Sequence, residues 1–146
     1  MTNESLARSY LKKATDRLKV LDVLFAEQAY SGVVREAQEL VEPALKGMLR
    51  AVGIEPPKLH DVGGLLVEHA GRFPVDIGGD LPELAAISRE LRKERELAFY
   101  GDSDFIPTEE YTLHDAQRAR QQAERVLQVA RRVMLSDSNG SDTPSS

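Results

Sequence analysis

The 146-residue chain has no cysteine and no tryptophan. Without thiols there is no disulfide, no thiolate zinc site and no cysteine nucleophile. Aromatic residues make up only 5%, too few for a platform on which successive bases stack. No apolar run approaches the roughly 20 residues that a bilayer span needs. The opening stretch MTNESLARSYLKKATDR lacks the apolar core of a signal peptide. These absences predict a soluble, cytoplasmic protein with no membrane partner. The patterns GxSxG, GxxxxGKS/T and GxGxxG are also missing, which removes the usual nucleophile elbow and phosphate loops. The three histidines, His60, His69 and His114, nowhere stand within three to five residues of one another. With no cysteine to assist them, no metal site and no cofactor are expected.

What is present suffices for one domain, since a chain of this length buries roughly 68–70% of its unfolded surface. The charge is mild: 19 Lys and Arg against 24 Asp and Glu, net −5. That excludes nucleic-acid binding through bulk positive charge and leaves a local basic patch open. Residues 136–146, SDSNGSDTPSS, carry no apolar side chain and cannot offset their ordering entropy by burial. They are expected as a disordered tail behind a domain of residues 1–135.

Before the tail the chain reads as helix with short punctuation. Leu6, Tyr10, Ala14, Leu18, Leu21 and Phe25 recur at spacings of three and four, predicting a helix over residues 4–29. Val34, Ala37, Val41, Leu45, Met48 and Val52 predict a second over 31–52. Gly53 is its stop, and Pro43 inside it predicts a kink. Residues 53–80 read as irregular except for a short helix capped by Asp61 and running to His69. The Gly pairs at 63–64 and 78–79 read as loop punctuation. A capping box of Asp80 and Glu83 opens a helix that runs to Tyr100 and stops at Gly101. Thr112 and Asp115 form another box, ahead of a helix carrying Ala116, Ala123, Leu127, Ala130 and Met134 on one face. No segment alternates with period two. The fold class is all-α: an up-and-down antiparallel helical bundle of four long helices plus one short helix.

Arg95 is the most informative residue. On a wheel of about 100° per residue it points with Leu84 and Leu91. An arginine on an apolar face needs a partner or an outlet. Either it is a salt-bridged structural residue, with Glu42 at the edge of the second apolar seam as a candidate partner, or it lines a cleft or a dimer seam. His60 sits between PPKL and the expected Asp61 cap and reads as a loop-ordering hydrogen bonder; His69 and His114 read as surface residues. Residues 8–19 and 118–132 are rich in base, and 102–115 in acid. Either these are solvated helix faces, or the two basic runs merge at one end of the bundle into a phosphate-attracting patch. In an up-and-down bundle that end is opposite the Arg95 end.

The stretches YLKKATDRLKVLDVLFAEQAYSGVVREAQELVEPALKGMLRAVGIEPPKLHDVG and LRKERELAFYGDSDFIPTEEYTLHDAQRA, in this order and spacing, resemble the HEPN domain family (higher eukaryotes and prokaryotes nucleotide-binding) over about residues 5–134. The resemblance implies a bundle of four to five helices that usually forms a homodimer. It also implies a family with many metal-independent endoribonucleases, many of them the toxin half of a toxin–antitoxin pair whose antitoxin partner is a small nucleotidyltransferase. The family's motif is Arg-x4–6-His near the end of the helix equivalent to residues 80–100, facing its copy across the dimer. The histidine is the acid/base and the arginine steadies phosphate.

Arg95 matches the family's arginine, and Tyr100 stands at the histidine position. Glu96, in the following place often held by a polar residue, adds a charge adverse to phosphate. Asp102 stands where some members carry a tyrosine that the partner enzyme modifies. Tyrosine, with a pKa of about 10, is a poor general base at neutral pH. An ideal helix also sets Arg95 and Tyr100 about 140° apart. The resemblance therefore implies a dimeric module that binds RNA, a nucleotide or a nucleotidyltransferase, with Arg95 on the ligand; Glu42 and His60, from the reading of the residues, are the other ligand-binding candidates. Its catalytic pair, Arg95 and Tyr100, is degenerate. The alternatives are an active ribonuclease toxin using Arg95 with Tyr100 or His60, and a purely structural dimerisation module.

Overall fold

Thr2 starts the first helix, α1 (Asn3–Ala26). Its hydroxyl accepts the Ser5 amide at 3.0 Å while the Ser5 hydroxyl accepts the Thr2 amide, a reciprocal capping box. The computed structural model describes residues 2–58, 61–100 and 111–142, with the side chains of 94–100 and 136–142 outside the described set. Ala7, Ala14 and Leu21, spaced by sevens, are fully buried, so α1 offers the core a narrow seam. The helix ends three residues earlier than its apolar stripe suggested. Gln28 takes φ 61°; its amide bonds the Phe25 carbonyl at 3.1 Å and the Ala29 amide bonds Leu24 at 2.9 Å. This is a Schellman stop made with glutamine rather than glycine.

The short turn forces α2 (Tyr30–Ala51) to run back against α1. Eleven of its residues are buried, from Val33 to Leu49, and they surround the helix because α1, α5 and α6 all pack on α2. It continues through Pro43. Its end is the expected one: Gly53 at φ 81° donates to Arg50 at 3.0 Å and Ile54 donates to Leu49 at 2.9 Å, the same motif with the residue best suited to it.

The segment expected to be mostly irregular is more helical than that. It holds α3 (Val62–Glu68), a 3-10 turn (Ala70–Arg72) and the short α4 (Val75–Gly78). The glycines at 63–64 lie inside α3 rather than in a loop. Gly63 is buried at the crossing of α3 and α5, where a Cβ would meet the Ala85 Cα at 2.9 Å. Asp61 precedes α3, but its side chain makes no cap bond; it stands 3.5 Å from Arg92 instead.

Next comes α5 (Leu81–Tyr100), and α6 (Leu113–Asp142) completes the bundle. The Thr112–Asp115 box forms as expected: each backbone amide donates to the other's side chain, at 2.9 and 3.2 Å. Helix α6 runs on through Ser136 to Asp142, into the segment expected as a tail; residues 143–146 lie outside the described residues. The expected stop at Gly101, Asp102 and the rest of the acidic loop lie outside the described residues.

Cross-helix pairs fix the directions. Asn3 meets Arg50 at 3.1 Å, Asp22 meets Arg120 at 2.9 Å, and Asp80 meets Arg132 at 3.0 Å. One end therefore gathers the starts of α1 and α5 with the ends of α2 and α6. The four long helices run up, down, up and down, and no strand occurs among the described residues.

Candidate functional site

Helix α5 is the element that carries Arg95. Its buried positions among the described side chains, Leu81, Leu84, Ala85, Ile87, Ser88 and Leu91, follow a helical period against α3 and α2. The helix is held on both flanks. Arg92 faces Asp61 at the start of α3 at 3.5 Å, and Glu90 accepts from Arg118 and Gln122 of α6 at 3.2 and 3.0 Å. Arg95 occupies the register position one turn beyond Leu91, and Tyr100 is the last residue of the helix. The side chains of Arg95 and Tyr100, and the whole of His60, lie outside the described residues.

The register separates Glu42 from Arg95. Val34 of α2 and Leu91 of α5 line the same small cleft, and the two helices are antiparallel. Glu42 lies eight residues further along α2 toward one end, roughly 12 Å, and Arg95 four residues along α5 toward the other, roughly 6 Å. Glu42 instead holds Lys46 at 3.3 Å on its own helix. The backbone register thus sets Glu42, one candidate partner for Arg95, at a different level of the bundle, a relation between two helices that a helical wheel cannot see.

His114 is exposed in the first turn of α6, as expected, whereas His69 is half-buried where α3 ends. Among the described residues no group of three or more His, Cys, Asp or Glu is arranged to hold a metal ion. The basic runs are largely spent on acids. Arg8 pairs with Glu4, Lys12 and Lys19 with Asp16, Arg17 with Glu36, Arg118 with Glu90, and Arg120 with Asp22 and Glu124. Arg120 also lies over the Phe25 ring, 5.3 Å from its centre, within cation–π range.

The strongest cluster is on α4, α5 and α6. Arg125 donates to Glu83 at 2.9 Å and Asp80 at 3.0 Å; Arg132 donates to Asp80 and Asp76, each at 3.0 Å. These hydrogen bonds, donated by Arg125 to Glu83 and by Arg132 to Asp76 and Asp80, hold both guanidinium pKa values above their ordinary value. The Asp80 and Glu83 carboxylates, read in the sequence as a capping box, thus serve as anchors between helices. Arg118, Arg120, Arg125 and Arg132 thus act as latches between helices.

A scan against family models matches the HEPN domain over residues 7–133. A curated protein of Methanocaldococcus jannaschii, named "Putative toxin MJ1304", is 27% identical over 133 residues, covering 87% of each chain. A solved structure described as the crystal structure of ST0689, an archaeal HEPN homologue, superposes with a TM-score of 0.67 at 25% identity. It covers 88% of this chain and 97% of that one. No helix among the described residues is long and apolar enough to cross a membrane.

Proposed function

The chain belongs to the HEPN domain family, and from that premise we propose that it is a homodimeric, cytoplasmic helical module of a toxin–antitoxin type. It binds RNA or a nucleotide through the ends of paired α5 helices, alongside a nucleotidyltransferase partner, and has little or no ribonuclease activity. One observation carries this reading: Arg95, one turn beyond the buried Leu91, is followed at the histidine position by Tyr100, the last residue of α5. An arginine there supplies charge for phosphate. A phenol of ordinary acidity supplies almost no general base at neutral pH. The toxin name of the M. jannaschii relative supports the toxin–antitoxin setting.

The test combines three measurements on the full chain. Light scattering is expected to give twice the 16.2 kDa protomer mass. Incubation with structured and single-stranded RNA, without metal, is expected to give no more cleavage than a heat-killed control. Arg95→Ala is expected to weaken RNA or nucleotide binding about tenfold or more, the size of one lost charge-assisted contact. Replacing His69 or His114 by alanine is expected to change little. A monomer at micromolar concentration, or metal-independent cleavage that vanishes in Tyr100→Phe, overturns the reading.

A further inference from the structure

At the end of the bundle away from Arg95, α1, α2 and the connector after α2 enclose an open cleft of about 410 Å³. Small-molecule sites run from roughly 300 to 1,000 Å³. Three cations line it, Lys46 and Arg50 from α2 and Lys58 from the connector, against one carboxylate, Glu55. Lys46 and Arg50 are four residues apart, so they stand on one helix face. The remaining wall is Tyr10 with Pro56 and Pro57. The two prolines fix their own φ angles and give the connector little freedom to collapse into the space.

Arg50 is the centre of the arrangement. Its side chain is only 18% exposed. One terminal nitrogen donates to Asn3 at 3.1 Å; the other stands 3.8 Å from Glu55, which is 82% exposed and so a weak partner. Its Nε is buried with no acceptor. That unmet donor leaves the guanidinium short of hydrogen-bond partners, and an anionic oxygen is the strongest acceptor for the part of it that faces the cleft. Lys46 keeps Glu42 at 3.3 Å, and exposed Lys58 has no ion pair among the described residues.

We propose that this cleft is a binding site for a phosphate-bearing small molecule. The phosphates lie on Arg50, Lys46 and Lys58, and the organic body rests against Tyr10 and the Pro56–Pro57 wall. The site is separate from the Arg95 end and stands whether or not that end binds RNA. It was not visible in the sequence because Tyr10 and Lys58 meet only once α1 and α2 are folded together; the one local sign was a lysine and an arginine four apart ahead of the Pro-Pro-Lys run.

Titration calorimetry of the full chain at constant chloride tests it with three probes: inorganic pyrophosphate, ADP and adenosine. Pyrophosphate and ADP are expected to bind saturably, one per protomer, with ADP the tighter, and adenosine not to bind. Lys58→Ala, at an exposed position that leaves folding intact, is expected to weaken ADP about tenfold, and Arg50→Gln more. Arg95→Ala is expected to leave ADP affinity unchanged. Absence of saturable binding by either phosphate at millimolar concentration overturns the proposal. So does loss of binding in Arg95→Ala with none in Lys58→Ala. Equal affinities for pyrophosphate and ADP overturn the role given to Tyr10 and the prolines.

Discussion

Gly63→Ala is the substitution on which local and tertiary reasoning disagree in sign. Gly63 is the second residue of α3 (Val62–Glu68), so helix propensity favours alanine by about 1 kcal/mol. The new Cβ, however, would stand 2.9 Å from the Ala85 Cα and 3.3 Å from the Ser88 Cβ. Comfortable carbon–carbon separation is about 3.5–4.0 Å, and the Ala85 obstacle is backbone, which no rotamer change can move aside. Helices α3 and α5 must therefore part by more than half an ångström along their contact. Overpacking costs about 1–3 kcal/mol, and an immovable backbone obstacle at 2.9 Å belongs in the upper part of that range, about 2–3 kcal/mol. Less the propensity gain of about 1 kcal/mol, the net effect is a destabilisation of about 1–2 kcal/mol, or roughly 2–8 °C in Tm for a chain of this size. Gly64→Ala is the control. It lies on the exposed side of the same helix, and its Cβ meets only the Asp61 side chain, at 3.2 Å. Thermal unfolding followed by circular dichroism at 222 nm should show a lower Tm for Gly63→Ala and an unchanged or higher one for Gly64→Ala. A Gly63→Ala protein as stable as the parent would mean that α3 does not pack on α5 through this glycine, and the placement of α5 argued above would fall with it.

Two further outcomes are expected. Asp80→Ala removes the carboxylate that accepts from both Arg125 and Arg132. In this half-exposed network it should cost about 1 kcal/mol at low salt and less in 1 M NaCl, where screening acts over about 3 Å; a salt-independent loss in denaturant unfolding would contradict the electrostatic account. Asp16 has its carboxyl held below its ordinary 3.8, chiefly by the Lys12 hydrogen bond. A depressed folded-state pKa contributes stability above the unfolded value, and that contribution disappears as pH falls through the folded value. An NMR titration of Lys12→Ala should show the Asp16 pKa rising toward 3.8, and no change would refute the assignment.

The existence and order of the long helices were legible because their signals are contiguous. Apolar spacing of three and four residues, the Thr112–Asp115 box and the Gly53 stop each act within a turn or two. Such local chemistry keeps its meaning before the chain has folded. Gln28 shows the limit even there: α1 stops at a residue of ordinary helix preference, in the conformation usually left to glycine, because the chain must turn to bring α2 onto α1. In the candidate site, the spacing of Arg95 and Tyr100 on one helix and the resemblance carried by their neighbours came from the sequence. So did the absence of any histidine between Arg95 and His114.

The tertiary structure decided which of several available partners each charged group takes. Asp61 and Asp80 are good capping residues by composition, yet Asp61 stands against Arg92 and Asp80 against Arg132, 52 residues away. Glu42 and Arg95 fit a pair on paper, but antiparallel helices put them on different levels of the bundle. Tyr10 and Lys58 become walls of one cleft only when α1 and α2 close. The physical reason is common to all of these. Periodicity and capping depend on neighbours in the chain, whereas an ion pair or a cleft depends on distance and desolvation between segments, and those exist only after the helices have packed.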